Sequence, residues 1–113
     1  MKAKNLFDGI PAELPEELFT AIHGIDGLRI ERIVSQGQSS PEGFWYDQDE
    51  HEWVVVIEGR AVIQFEGEAN TIELQRGSYL AIPAHARHRV VWTAPDQPTV
   101  WLAIHYRTTQ NGK

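Results

Sequence analysis

A chain of 113 residues, 42% of them hydrophobic, has room for one domain with a single core and the composition of a packed globule. Its net charge of −6 argues against a basic footprint for nucleic acid or for an anionic membrane surface. The lack of cysteine excludes disulfides, thiolate metal sites and a cysteine nucleophile, so any metal must be held by imidazole, carboxylate, amide or phenol groups.

The opening stretch MKAKNLFDGIPAELP has two lysines but no apolar run of signal-peptide length, and no segment approaches a transmembrane span. A soluble cytoplasmic protein is the expectation. Leu14, Leu18, Ile22 and Ile25 then fall at helical spacing, and Pro15-Glu16-Glu17 suits a first turn. This predicts one short helix, with an extra edge strand as the alternative. Residues 1–27 are expected to form a segment packing on the body of the domain, 28–108 the body itself, and 109–113 a frayed tail.

From residue 28 short apolar runs alternate with Gly, Pro and polar turns, the pattern of an all-β sandwich or barrel. LRIERIV (28–34) reads as a strand, and GQSSPEGFW (37–45) is a turn-rich stretch. HEWVVVIEG (51–59) raises a zinc-protease question, because His-Glu-x-x-His on a helix is a metal signature. Here the fourth residue after His51 is Val55, and the β-branched run from Val54 to Ile57 favours a strand, so that reading fails. RAVIQFEG (60–67) alternates Ala61, Ile63 and Phe65 against Val62, Gln64 and Glu66, a half-buried strand of period two. TIELQ, SYLAI up to Pro83, HRVVWT (88–93) and TVWLAIHYR (99–107) supply the remaining strands.

Five histidines punctuate this pattern. His23 has no partner pattern, and His85 sits in the loop after Pro83. His105 shares the face of Trp101 and Ala103, where it either lines a cavity or is a core histidine bonded to a neighbour. His88 opens a strand on the parity of Val90 and Trp92, which aims it into whatever that face encloses. Glu52 shares the parity of Val54 and Val56. Aimed inward, its carboxylate needs a metal ion or a cationic partner, because an unpaired buried charge is very costly. His51 has the opposite parity, so it enters the same interior only if the strand bulges. Tyr46 and Gln48 lie two apart, on one face of WYDQ if it is extended.

Two of these segments together resemble the cupin superfamily, specifically its small single-domain members. The back half of the first cupin motif, Glu, six residues, Gly, is met by Glu52, WVVVIE and Gly59. The second motif, Gly, five residues, Pro-x-Gly, two residues, His, three residues, Asn, is met by Gly77, SYLAI, Pro83-Ala84-His85, Ala86-Arg87 and His88, with Trp92 in place of the Asn. The resemblance covers residues from about 40 to 92, and the pattern GFWYDQ…HEW…PAHARHRV is similar to that of a subgroup of small bacterial cupins.

The resemblance implies an antiparallel jelly-roll β-barrel. The family's histidine pair falls on Tyr46 and Gln48, so its three-His, one-Glu metal set becomes Tyr46, Gln48, Glu52 and His88. Gln48, Glu52 and His88 are the expected ligands of a divalent ion (Fe, Mn, Ni or Zn), with Tyr46 and His51 as weaker candidates. The expected partner is a small organic molecule, carboxylate or sugar-like. If the chain is an enzyme, its chemistry is of the dioxygenase, isomerase, epimerase or lyase type; a non-catalytic, metal-free binding module is the alternative. A homodimer is also expected, in keeping with small cupins and with the frequency of two-fold assemblies.

Overall fold

A computed structural model describes residues 1–108 and is all-β, built from eight antiparallel strands without a helix among those residues. The strands are β1 (Leu18–Ile25), β2 (Leu28–Ser35), β3 (His51–Glu58), β4 (Arg60–Phe65), β5 (Ile72–Gln75), β6 (Tyr79–Ile82), β7 (His88–Thr93) and β8 (Thr99–Tyr106). They form a five-stranded sheet in the order β1-β2-β8-β3-β6 and a three-stranded sheet in the order β5-β4-β7. The expected frayed tail at 109–113 lies outside the described residues.

The two sheets face each other because each has one apolar face to bury. In β3 the alternation is strict: Glu52, Val54 and Val56 are buried while His51, Trp53 and Val55 are only half-buried. β4 does the same with Ala61 and Ile63. Between them lies a core of Val54, Val56, Ala61, Ile63, Leu74, Ile82, Trp101 and Ala103. Such alternation fixes register, since a slip of one residue would turn every buried side chain outward. Gly59 joins β3 to β4 at φ +99°, and a Cβ there would lie 2.6 Å from the Thr99 Cα, so only glycine fits the turn.

The stretch read as a short helix is instead the edge strand β1, the alternative reading. The helical stripe had nothing to bury itself against: Ile22 and Ile25 remain 46% and 65% exposed. Pairing along β2 satisfies this backbone instead, with a bulge between Ala21 and His23. The residues before β1 are tied to the outer face of the sheet by Arg32, which is 6% exposed and donates to the carbonyls of Leu6 (2.8 Å) and Asp8 (2.7 Å).

Candidate functional site

The inner face of the larger sheet changes character along its length. Cross-strand register aligns Arg29 (β2), His105 (β8), Glu52 (β3) and Ile82 (β6) in one row. The next row inward is Glu31, Ala103, Val54 and Leu80, and beyond it come Ile33, Trp101 and Val56. Opposed residues in a sheet share a face. The sheet therefore presents charge at one end of the barrel and hydrocarbon towards the middle.

A cavity of about 230 Å³ opens at the polar end. This is below the roughly 300–1,000 Å³ of pockets for drug-sized ligands, so its occupant is small. Val54, Ile63, Ile82, Val90 and Trp101 form its apolar walls. The polar lining is Glu17, Glu31 and Glu52 with Arg29, His88 and His105, joined by Tyr46 and Gln48.

His88 and Tyr46 arrive together because residues 38–48 run beside β7. Tyr46 and His88 exchange both backbone hydrogen bonds (2.7 and 3.2 Å), as a bonded antiparallel pair does. Their rings consequently stack, with centroids 5.4 Å apart and planes at 26°. His85 donates its N–H to the Gln48 carbonyl (2.7 Å), holding Gln48 at the cavity. His85 itself stands where the family motif has glycine and has φ +67°, a left-handed conformation rare for a side chain with a Cβ. Its imidazole Nδ1 donates to Asp47 Oδ1 at 2.8 Å, and that bond holds the Asp47 carboxyl below the usual carboxylate range.

At the centre, His88 is 5% and Glu52 9% exposed. The Nδ1–H of His88 donates to the Ala86 carbonyl at 2.8 Å, which fixes the tautomer: Nε2 of the neutral ring carries a lone pair. Nε2 faces Glu52 Oε1 at 3.9 Å, beyond hydrogen-bond reach. Gln48 Nε2 donates to that same carboxylate oxygen at 3.1 Å. Tyr46 stays a phenol, because burial, followed by the fields of Glu17, Glu52 and Glu31, raises its pKa.

Among the sequence candidates, Tyr46, Gln48, Glu52 and His88 line this one cavity, and His51 does not. The His51 imidazole turns outward, where Nδ1 accepts the Ala84 N–H at 3.1 Å and the ring lies 5.3 Å from that of Tyr106. Four further polar groups line the cavity: Arg29, Glu31 and His105 from the sheet, and Glu17 just before β1. His105 Nε2 donates to Glu31 Oε1 at 3.3 Å, leaving Nδ1 buried with no partner among the described residues. His105 thus meets both readings left open for it: it lines the cavity and is bonded to a neighbour. Arg29 donates to Glu50 through Nε (3.3 Å) and Nη2 (3.0 Å), and its Nη1 is 3.8 Å from Glu31. Glu17 accepts from Ser35 Oγ at 2.6 Å, and Ser35 Oγ accepts in turn from Trp101 Nε1 at 3.3 Å. The sequence signal for Arg29 and Glu31 was their shared parity with Ile33 in LRIERIV.

The fold family implies a metal held by three histidines and a glutamate. Of the four positions, only Glu52 and His88 bear strong ligands; Gln48 offers a neutral amide whose nitrogen faces Glu52, and Tyr46 is a phenol held protonated. No group of three or more His, Cys, Asp or Glu converges as a metal site among the described residues. The residues do not fit a resident three-His, one-Glu centre.

Comparison with known proteins agrees with this architecture. None of the curated proteins matches the sequence. A crystal structure from Ralstonia eutropha JMP134, provisionally described as a mannose-6-phosphate isomerase, is 47% identical, with a TM-score of 0.91 over 96% of this chain and 100% of that one. A cupin superfamily protein from Desulfitobacterium hafniense DCB-2 is 22% identical, with a TM-score of 0.71 over 88% of this chain and 84% of that one. An RmlC-like cupin from Desulfovibrio desulfuricans is also 22% identical, with a TM-score of 0.70 over 93% and 96%. The cupin domain family matches residues 31–105, most of the chain and the strands that wall the cavity apart from β1 and the start of β2, which precede it. With the two motifs, the jelly-roll sheets and that match in agreement, this chain belongs to the cupin family.

Proposed function

We propose that this cupin binds a small, hydroxyl-bearing organic molecule directly on the side chains of its cavity. The observation that carries the reading is the unclosed Glu52–His88 pair. Two groups able to accept or exchange a proton stand 3.9 Å apart, both buried at the barrel mouth, with neither satisfying the other. A ligand hydroxyl lying about 2.8 Å from each closes that gap. It donates to the Glu52 carboxylate and accepts from His88 when the imidazole is protonated. Gln48 holds the carboxylate from one side, and the Ala86 carbonyl holds the imidazole ring in its orientation. Apolar walls shield these bonds from water and strengthen them. The description of the 47% identical Ralstonia eutropha protein supports a sugar-like occupant.

A divalent ion on Gln48, Glu52 and His88 is the second reading, and one observation favours it. His88 spends Nδ1–H on a backbone carbonyl and turns Nε2 inward, the arrangement that orients metal-ligating histidines. Such an ion, when bound, would act as a Lewis acid towards a ligand oxygen. Elemental analysis of the purified protein, alongside calorimetric titration with small sugars, separates the two. A metal-free protein that binds a sugar, and loses it in Glu52→Ala and His88→Ala, carries the first reading. Stoichiometric metal lost in those two variants, but kept in His51→Ala and His85→Ala, carries the second. A metal-free protein that binds no sugar overturns both.

A further inference from the structure

From the charges that line the cavity we infer that its ligand is an uncharged, hydroxyl-rich molecule and that phosphate esters and other organic anions are excluded. The inference rests on the direct-binding reading above and narrows it to a substrate class. It also separates this chain from the phosphorylated sugar in the description of its 47% identical relative.

Three carboxylates line the cavity, on Glu17, Glu31 and Glu52. The positive groups among the lining residues are Arg29, His88 and His105. With both imidazoles neutral the carboxylates are in excess. With both protonated the lining only reaches neutrality. As long as the three carboxylates are ionised, no protonation state of the imidazoles makes it positive. The one permanent cation is also already engaged: Arg29 spends Nε and Nη2 on Glu50 and holds Nη1 towards Glu31. Counting Glu50, the neighbourhood stays negative even with both histidines charged. A phosphate dianion entering an apolar-walled cavity would meet like charge without a free guanidinium, and like charges brought together in this way are strongly discriminated against.

The same lining suits hydroxyl groups, which both donate and accept. Each carboxylate has one protein donor already, Ser35 for Glu17, His105 for Glu31 and Gln48 for Glu52, and keeps further lone pairs for ligand hydroxyls. The Tyr46 hydroxyl, with no protein partner among the described residues, and the inward Nε2 of His88 add a donor and an acceptor. An ammonium could use only the acceptors and would leave the O–H donor of the phenol unmatched. Trp101 supplies an apolar face in the same cavity, next to Val54 and Ile82.

The test is calorimetric titration in low salt with mannose, glucose and xylose, each beside a phosphate ester of the same sugar. The expected result is that any sugar that binds does so about tenfold or more tightly than its phosphate ester. Glu17→Gln and Glu31→Gln, each removing one negative charge, should narrow that ratio. A phosphate ester bound as tightly as the free sugar, or more tightly, overturns the inference and leaves the cavity as the binding site. If neither series binds and the Trp101 indole resonance is unmoved, the direct-binding reading fails and this inference falls with it.

Discussion

Replacing Glu52 by glutamine separates what the carboxylate does for the fold from what it does for the cavity. Glu52→Gln preserves volume and keeps an oxygen to accept the Gln48 amide, now 3.1 Å away. It removes a charge that is 9% exposed and has no hydrogen-bonded cation, since His88 Nε2 stands off at 3.9 Å. A hydrogen bond to a charged group contributes about 1.5–3 kcal/mol and a neutral one about 0.5–1.5, so the bond to Gln48 weakens by about 1 kcal/mol. Relief of carboxylate desolvation offsets that loss. The folded state should therefore change by no more than about 1 kcal/mol, whereas breaking a structural buried ion pair costs about 3–5 kcal/mol. The ligand loses its charged acceptor, a deficit of about 1–2 kcal/mol or roughly five- to thirtyfold in affinity. Urea unfolding read by tryptophan fluorescence gives the first quantity and calorimetric titration the second. Destabilisation beyond about 3 kcal/mol, or unchanged affinity for a ligand that the parent binds, would refute the reasoning.

Gly59→Ala should cost at least about 2 kcal/mol in urea unfolding, from a left-handed backbone (φ +99°) and a Cβ 2.6 Å from the Thr99 Cα; Gly67→Ala, at φ +86° with open space around it, should cost distinctly less. Tyr46 should ionise above the ordinary value of 10.0 in an ultraviolet titration, and because its folded pKa is raised, stability should hold up to about pH 10 and fall above it as the unfolded chain releases the proton first. The chain should pair as a two-fold homodimer through β1, the edge strand of the larger sheet, which leaves Ile22 46% and Ile25 65% exposed; light scattering at the mass of one 12.8 kDa chain would exclude it.

The sequence was most readable where burial alternates strictly. In HEWVVVIE the parity of Val54 and Val56 carried Glu52 inward and His51 outward, and the structure keeps that separation. The second motif likewise brought His88 to the cavity, because a strand opening after a proline-stopped loop has its first side chain at the barrel mouth. One stretch misled for a physical reason, and a second left its faces unassigned. At 14–25 the apolar residues match a helical stripe, but spacing says nothing about whether a surface exists to receive it; β2 offered an unpaired edge and the backbone took that. In LRIERIV, read only as a strand, Leu28, Ile30 and Val34 alternate with Arg29, Glu31 and Ile33, and parity alone does not say which set faces inward. The N-terminal segment covers the aliphatic face through Arg32, and the charged set turns towards the cavity. A second layer over the outside of a sheet inverts the usual meaning of polar parity.

The departures from the two family motifs are linked by geometry. A histidine at the glycine position of Pro-x-Gly takes on φ +67°, and its imidazole is bonded to Asp47. Asp47 lies between Tyr46 and Gln48, the two positions where the family places metal-binding histidines. His85 also donates its backbone N–H to the Gln48 carbonyl. The strained loop residue thus fixes the segment that replaces the metal ligands, and that segment puts a phenol and an amide beside Glu52 and His88. Phenol, amide, carboxylate and imidazole are a hydrogen-bonding set, with the amide donating to the carboxylate and the imidazole Nδ1–H to a backbone carbonyl. An open pair at 3.9 Å within such a set is better matched to a ligand hydroxyl than to a tightly held ion. If so, Asp47→Ala should release the loop and weaken ligand binding although Asp47 does not line the cavity, and full affinity in that variant would break the link between the two motifs.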